Sequence, residues 1–163
     1  VASLYPEAPA PVVTPHRGAY WPFLPFLGLL VALPAVMVLL RAHVRDALPT
    51  LLVATCAFSA GQLTTPLLGG ALGPPLGAAV AALVLGAGSN AFARITDRPA
   101  ALVMVPGILL LVPGSMGFRS VASFLRRDVI AAVDTAFAVG LVAVSLVAGL
   151  LLANLILPPR KAL

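Results

Sequence analysis

Apolar residues fall into five long blocks along the chain, and most of the charge lies in the short segments between them. The first block runs from about Trp21 to Leu40 and stops at RAHVRD. The second runs from about Ala47 to Thr65 and stops at Pro66 and the glycine-rich LLGGALGPP. The third covers about Leu76 to Phe92, before ARITDR; the fourth begins at Pro99; the fifth runs from about Val129 to Leu157, ahead of Pro158 and Pro159. Blocks near ~20 apolar residues have the length of transmembrane helices, and the pattern predicts an all-α, polytopic membrane protein with about five spans. A transmembrane β-barrel would alternate polar and apolar residues, and these blocks do not.

Composition agrees with the pattern. Of 163 residues, 61% are hydrophobic and 9% charged, where a soluble domain carries about a quarter charged residues. The net charge of +5 does not point to nucleic acid, because the basic residues stand singly or in pairs at block ends, as topology signals do. Cys56 is the single cysteine and lies inside a block, so neither a disulfide framework nor a metal cluster is suggested, and no cofactor is implied. Residues 1–21 hold four prolines and read as a linker, with Tyr20 and Trp21 where an aromatic belt would begin; residues 22–163 form the membrane domain. A secretory signal would need a basic start followed by an apolar core, which this segment lacks.

The basic residues also set an expected orientation. With the N-terminus outside, Arg41, Arg45, Arg94, Arg98, Arg160 and Lys161 lie inside, against Arg17, Arg126 and Arg127 outside, which favours N-out and C-in. Within the blocks, Thr55, Ser59 and Gln62 form a stripe on one helical face. Ala78, Ala82, Gly86 and Asn90 form a ridge of small residues ending in an amide, and Asp134, Ala138, Ser145 and Gly149 share a face of the last block. Such stripes let membrane helices approach closely, and packing is their first explanation.

The fourth block contains VPGILLLVPG, with two Pro-Gly pairs seven residues apart. Pro106 and Pro113 each remove a helix donor, and Gly107 and Gly114 permit a sharp change of direction. The expected product is a half-helix from about Ala100, an irregular stretch from Gly107 to Gly114, and a second half-helix opening at Ser115. Ser115 suits an N-cap, and Arg119 follows one turn later. A helix N-terminus inside a membrane, with a hydroxyl and an arginine beside it, is suited to an anion such as a substrate carboxylate. The competing reading is a kinked helix with Arg119 snorkelling to the interface.

The run DRPAALVMVPGILLLVPGSMGFRS, Asp97 to Ser120, resembles the signature of the bacterial threonine/serine exporter (ThrE) family. The matching positions are Arg98, Pro99, Pro106, Gly107, Val112, Pro113, Gly114, Phe118 and Arg119; Leu110 departs from the proline often found there. The upstream LPAVMVLLRAHVRD and the span around Gly61 also fit, so the resemblance extends over roughly Leu27 to Leu157. It implies export of small amino acids across the bacterial inner membrane, driven by the proton motive force. It further implies that this is the C-terminal membrane half, working with an N-terminal half in the same chain or as a separate subunit. The initial Val1 and the linker-like start fit a junction between halves.

Asp134 is the acidic residue placed inside an apolar block, and an intramembrane acid is a functional hypothesis by default. In a proton-driven exporter it would be a proton relay; at an interface it would be a first-turn acid favoured by the helix dipole. An intramembrane protease is disfavoured, because His16 and His43 lie outside the blocks and PGSMG has no partner base. The G-x-G-x-x-A at Gly86, Gly88 and Ala91 lacks the acidic residue of a dinucleotide loop and sits in a membrane helix. Two alternatives keep the same architecture: a non-transporting scaffold subunit, and an exporter of small dicarboxylates.

Overall fold

A computed structural model describes residues 24–41, 43–112, 114–125 and 129–158. The expected linker with Tyr20 and Trp21, Pro113, and the basic residues Arg17, Arg126, Arg127, Arg160 and Lys161 lie outside the described residues. The first helix, α1 (Leu24–Leu39), carries Pro34 internally and leads to Arg41, whose φ of 51° turns the chain back. A short 3-10 turn, Val44–Asp46, opens α2 (Ala47–Leu68).

The second helix runs past Pro66, three residues beyond the stop expected at Thr65. The proline ring fits helical φ and forfeits only one N–H donor, so a helix near its end can continue through it. Gly69 and Gly70, with φ of 57° and 59°, make the actual reversal. The third helix, α3 (Gly73–Thr96), takes Pro74 and Pro75 into its first turn, where proline costs no hydrogen bond. Its left-handed C-cap is Asp97. Then come α4 (Ala101–Leu111), α5 (Gly114–Leu125) and α6 (Val129–Ile156), and no strand occurs among the described residues.

Three of these helices, α2, α3 and α6, are long and apolar enough to cross a membrane, while α1 and α4 are shorter apolar helices. Large side chains point outward: Val38, Leu67, Ile95, Ile130 and Leu155 are all exposed. The interior is built of Ala54, Ala57, Ala81, Ala82, Ala93 and Ala153, with a few larger residues such as Leu33 and Leu85. Small residues inside and large apolar residues outside is the arrangement of helices that pack in lipid.

The third helix is the hub and packs mainly on α2 and α6. Against α2 it runs antiparallel, since Gly73 meets Thr65, Gly77 meets Gly61, and Gly88 meets Val53. Against α6 it runs parallel: Ala82 meets Gly149, Gly86 meets Ala153, and Asn90 bonds to Asn154. The ridge of Ala82, Gly86 and Asn90 is therefore a packing surface for α6. Two parallel neighbours require the intervening chain to travel back along the bundle. At ~1.5 Å per residue, α4 and α5 span roughly 16 and 18 Å, together about the length of α3. They make the return journey jointly.

Candidate substrate site and the polar end of the bundle

The two Pro-Gly pairs behave differently. The fourth helix continues unbroken through Pro106 and Gly107, both buried, and ends at Leu111. Among the described residues, the irregular stretch expected from Gly107 to Gly114 is thus confined to Val112. Two physical causes account for the difference. Pro106 lies in the second turn, where it removes only the bond to the Leu102 carbonyl, and Gly107 lets the helix press directly onto the Leu85 side chain of α3. Val112 precedes Pro113 and adopts φ −63°, ψ 128°, the extended conformation that a following proline favours, which ends the helix there.

The interruption lies well inside the length of α3. Leu111 packs on the cluster of Ala82, Val142 and Leu146, and Leu110 on the cluster of Leu33, Met37 and Ala54. From this level α5 departs along α6, where the Ser120 hydroxyl donates to the Ala132 carbonyl at 2.9 Å. A helix, α5, follows and begins at Gly114, one residue ahead of the Ser115 start expected from the sequence. For Gly114, Ser115 and Arg119 the backbone of α5 is described and the side chains lie outside the described set; Pro113 lies outside it altogether. Pro106 and Gly107 line the α3–α4 contact, in the half-helix ahead of the break.

Asp134 stands elsewhere. It is exposed, in the second turn of α6, on a face shared with Ile130, Val133 and Phe137. This is the stretch of α6 that carries α5 and lies at the opposite end from Asn154. Of the α2 stripe, Gln62 is exposed and the Ser59 hydroxyl donates to the Thr55 carbonyl at 2.7 Å, so that face is turned away from α3.

Polar residues that the sequence reading did not single out as site residues gather at one end of the bundle. Asp46 is buried, its side chain 5% exposed, and it accepts a bond from Arg98 Nη1 at 2.5 Å. This joins the two stretches that carry the family resemblance, RAHVRD and DRPAALVMVPG. The Thr50 hydroxyl donates to the Asp46 carbonyl at 2.6 Å, tying the same turn to the first turn of α2. Nearby in the chain's folding, Asn90 Nδ2 donates to Asn154 Oδ1 at 2.9 Å and to the Leu157 carbonyl at 2.7 Å, and Arg94 Nη2 donates to the Pro158 carbonyl at 2.7 Å. Arg94 and Arg98, flanking the α3–α4 turn, therefore share one end of the bundle with the α1–α2 loop that bears Arg41 and Arg45. The signal for Asn154 was an amide within LLLANLIL, an expensive residue in lipid unless it is paired.

The Asp46–Arg98 pair gives a direct test. Arg98→Ala leaves a buried carboxylate without its partner. Arg98 is 42% exposed, so the cost lies between that of a surface pair and a buried one, about 2 kcal/mol. The expected result is a lowered melting temperature in detergent that Asp46→Asn, added to Arg98→Ala, largely restores. Additive losses in that double-mutant cycle would mean the two side chains do not act together.

A helical bundle with small residues inside and large apolar residues outside, three of its helices long enough to span a bilayer, is the arrangement of an integral membrane protein. The threonine/serine exporter (ThrE) family model matches residues 26–156, which is most of the chain, and the protein belongs to that family. No curated protein and no solved structure gives a significant match.

Proposed function

We propose that this chain is one membrane half of an exporter of threonine, serine and similarly small amino acids in the bacterial inner membrane, powered by the proton motive force. It crosses the membrane five times, through α1, α2, α3, the α4–α5 pair and α6, with the N-terminus outside. A second half, in the same polypeptide or as a separate subunit, completes the path. The observation that carries this reading is the helix interruption at Val112, at the level of Ala82. It leaves the N-terminus of α5 beside α6, where free N–H groups and the positive end of the helix dipole would favour a carboxylate. Ser115 would add a hydroxyl and Arg119 a guanidinium one turn along. Discontinuous helices used in this way are a recurring device of secondary transporters.

Two further features support the reading. The four arginines Arg41, Arg45, Arg94 and Arg98 gather at one end, as a cytoplasmic face requires. Asp134, on the segment of α6 that holds α5, would serve as the proton carrier once the second half covers it.

The test uses the native host. Cells lacking this protein, loaded with a threonine-containing dipeptide, should retain threonine that wild-type cells expel, and a protonophore should stop the wild-type efflux. Expulsion of succinate instead would assign a dicarboxylate substrate, and unchanged efflux of every candidate would leave a scaffold. Asp134→Asn keeps shape and hydrogen bonding but cannot titrate. It should lower gradient-driven export at least tenfold while labelled threonine still exchanges across the membrane. Full gradient-driven export by that variant would move the proton path into the other half.

A further inference from the structure

The first two helices diverge at the basic end of the bundle and leave a cleft of about 430 Å³ between them. Its walls are Leu33, Met37 and Val38 of α1 and Leu48 and Leu51 of α2, and His43 closes it at the loop. Leu33 and Met37 are buried and form its floor, whereas Val38 and Leu48 are exposed at its rim. No other described helix lines it; left uncovered in a membrane, it would open to the acyl-chain region.

The mouth has a different chemistry from the walls. His43 sits between Arg41 and Arg45 in the loop that joins the two helices, and all three are exposed. Neither arginine has an acidic partner among the described residues. Asp46, the acid of that loop, is buried and held by Arg98 and does not neutralise them. An apolar slot closed by a loop that carries two arginines, neither paired with an acid among the described residues, matches a molecule with a hydrocarbon tail and an anionic head. Basic pockets between membrane helices hold anionic lipid headgroups on this principle.

We infer that the α1–α2 cleft is a binding site for one anionic phospholipid, an acyl chain between the helices and its phosphate against Arg41, His43 and Arg45. The site is independent of what the protein transports. Its occupant would wedge between α1 and α2, which meet through Leu33, Met37 and Ala54 and, further along, through the edge-on rings of Phe26 and Phe58.

The inference is tested by native mass spectrometry of the purified chain in mild detergent, with phosphatidylglycerol or phosphatidylcholine of identical acyl chains added. Phosphatidylglycerol should be retained preferentially, by roughly fivefold for each arginine. Arg41→Gln with Arg45→Gln should abolish that preference. Val38→Trp, which fills the rim, should reduce retention of both lipids, whereas Ile130→Trp, equally exposed and distant, should not. Added inorganic phosphate should displace neither. Equal retention of the two lipids by the wild type, or an undiminished preference in the arginine variant, would overturn the site. A dimer lost on Val38→Trp without any lipid preference would give the cleft to a second copy of the chain and overturn it equally.

Discussion

Arg119→Ala is expected to weaken threonine binding and export roughly 10- to 100-fold while the protein still inserts and folds, if α5 receives the substrate carboxylate. A hydrogen bond to a charged group contributes about 1.5–3 kcal/mol, which sets that range. Arg119 lies in the second turn of α5, which begins three residues after Leu111, and Leu111 packs on the cluster of Ala82, Val142 and Leu146. Arg119→Lys separates two roles. Lysine keeps the charge but loses the planar fork that grips a carboxylate with two parallel bonds, so it should recover only part of the affinity. Equilibrium binding of labelled threonine to the complete transporter, with efflux from loaded cells, reads both. Wild-type values for Arg119→Ala would show that the side chain snorkels to the interface and that the carboxylate is held elsewhere.

Gly149→Val should disrupt the bundle itself. A Cβ at Gly149 would overlap the backbone carbonyl of Ala79 and lie 2.9 Å from the Ala82 Cβ. A backbone carbonyl cannot rotate aside, so α3 and α6 must separate. The bonds of Asn90 to Asn154 and of Arg94 to Pro158 lie further along the same contact and would be strained with it. Overpacking of this kind costs about 1–3 kcal/mol and occasionally more, and valine at a backbone contact belongs at the upper end. Gly140 on the same helix supplies the control, since a Cβ there meets nothing within 4 Å. Gly140→Ala should leave the melting temperature unchanged or slightly raised, because alanine is the better helix former by about 1 kcal/mol. Equal melting temperatures for Gly149→Val and Gly140→Val would mean the close α3–α6 approach is absent in the membrane.

The blocks were legible because length and hydropathy are local properties: α1, α2, α3 and α6 lie where the apolar runs do. Their ends were less so. Pro66, Pro74 and Pro75 looked like stops, yet each sits where a helix can absorb a proline, and α2 and α3 are longer than the runs suggested. The interruption after Leu111 followed from the residue before Pro113. The same reasoning failed at Pro106, because the chain alone does not reveal that Leu85 lies opposite Gly107 and supports an intact helix. The Asp46–Arg98 pair joins positions 52 residues apart in sequence, and the parallel alignment of α3 and α6 depends on the path between them. Both are decisions of tertiary packing, invisible to a window that slides along one chain.

The sixth helix extends for roughly 42 Å at ~1.5 Å per residue, and its two ends have different company. The C-terminal part is clasped by α3 at Gly149 and anchored through Asn154 and Leu157. The N-terminal part bears α5 as its main neighbour, and α5 has no comparable contact with α1, α2 or α3. Its two ends are therefore held by different partners: the last turns are fixed to α3 through Gly149, Asn90 and Arg94, and the first turns to α5 through Ala132. A load applied to α5 would reach α6 directly, and would reach α3 mainly through α6.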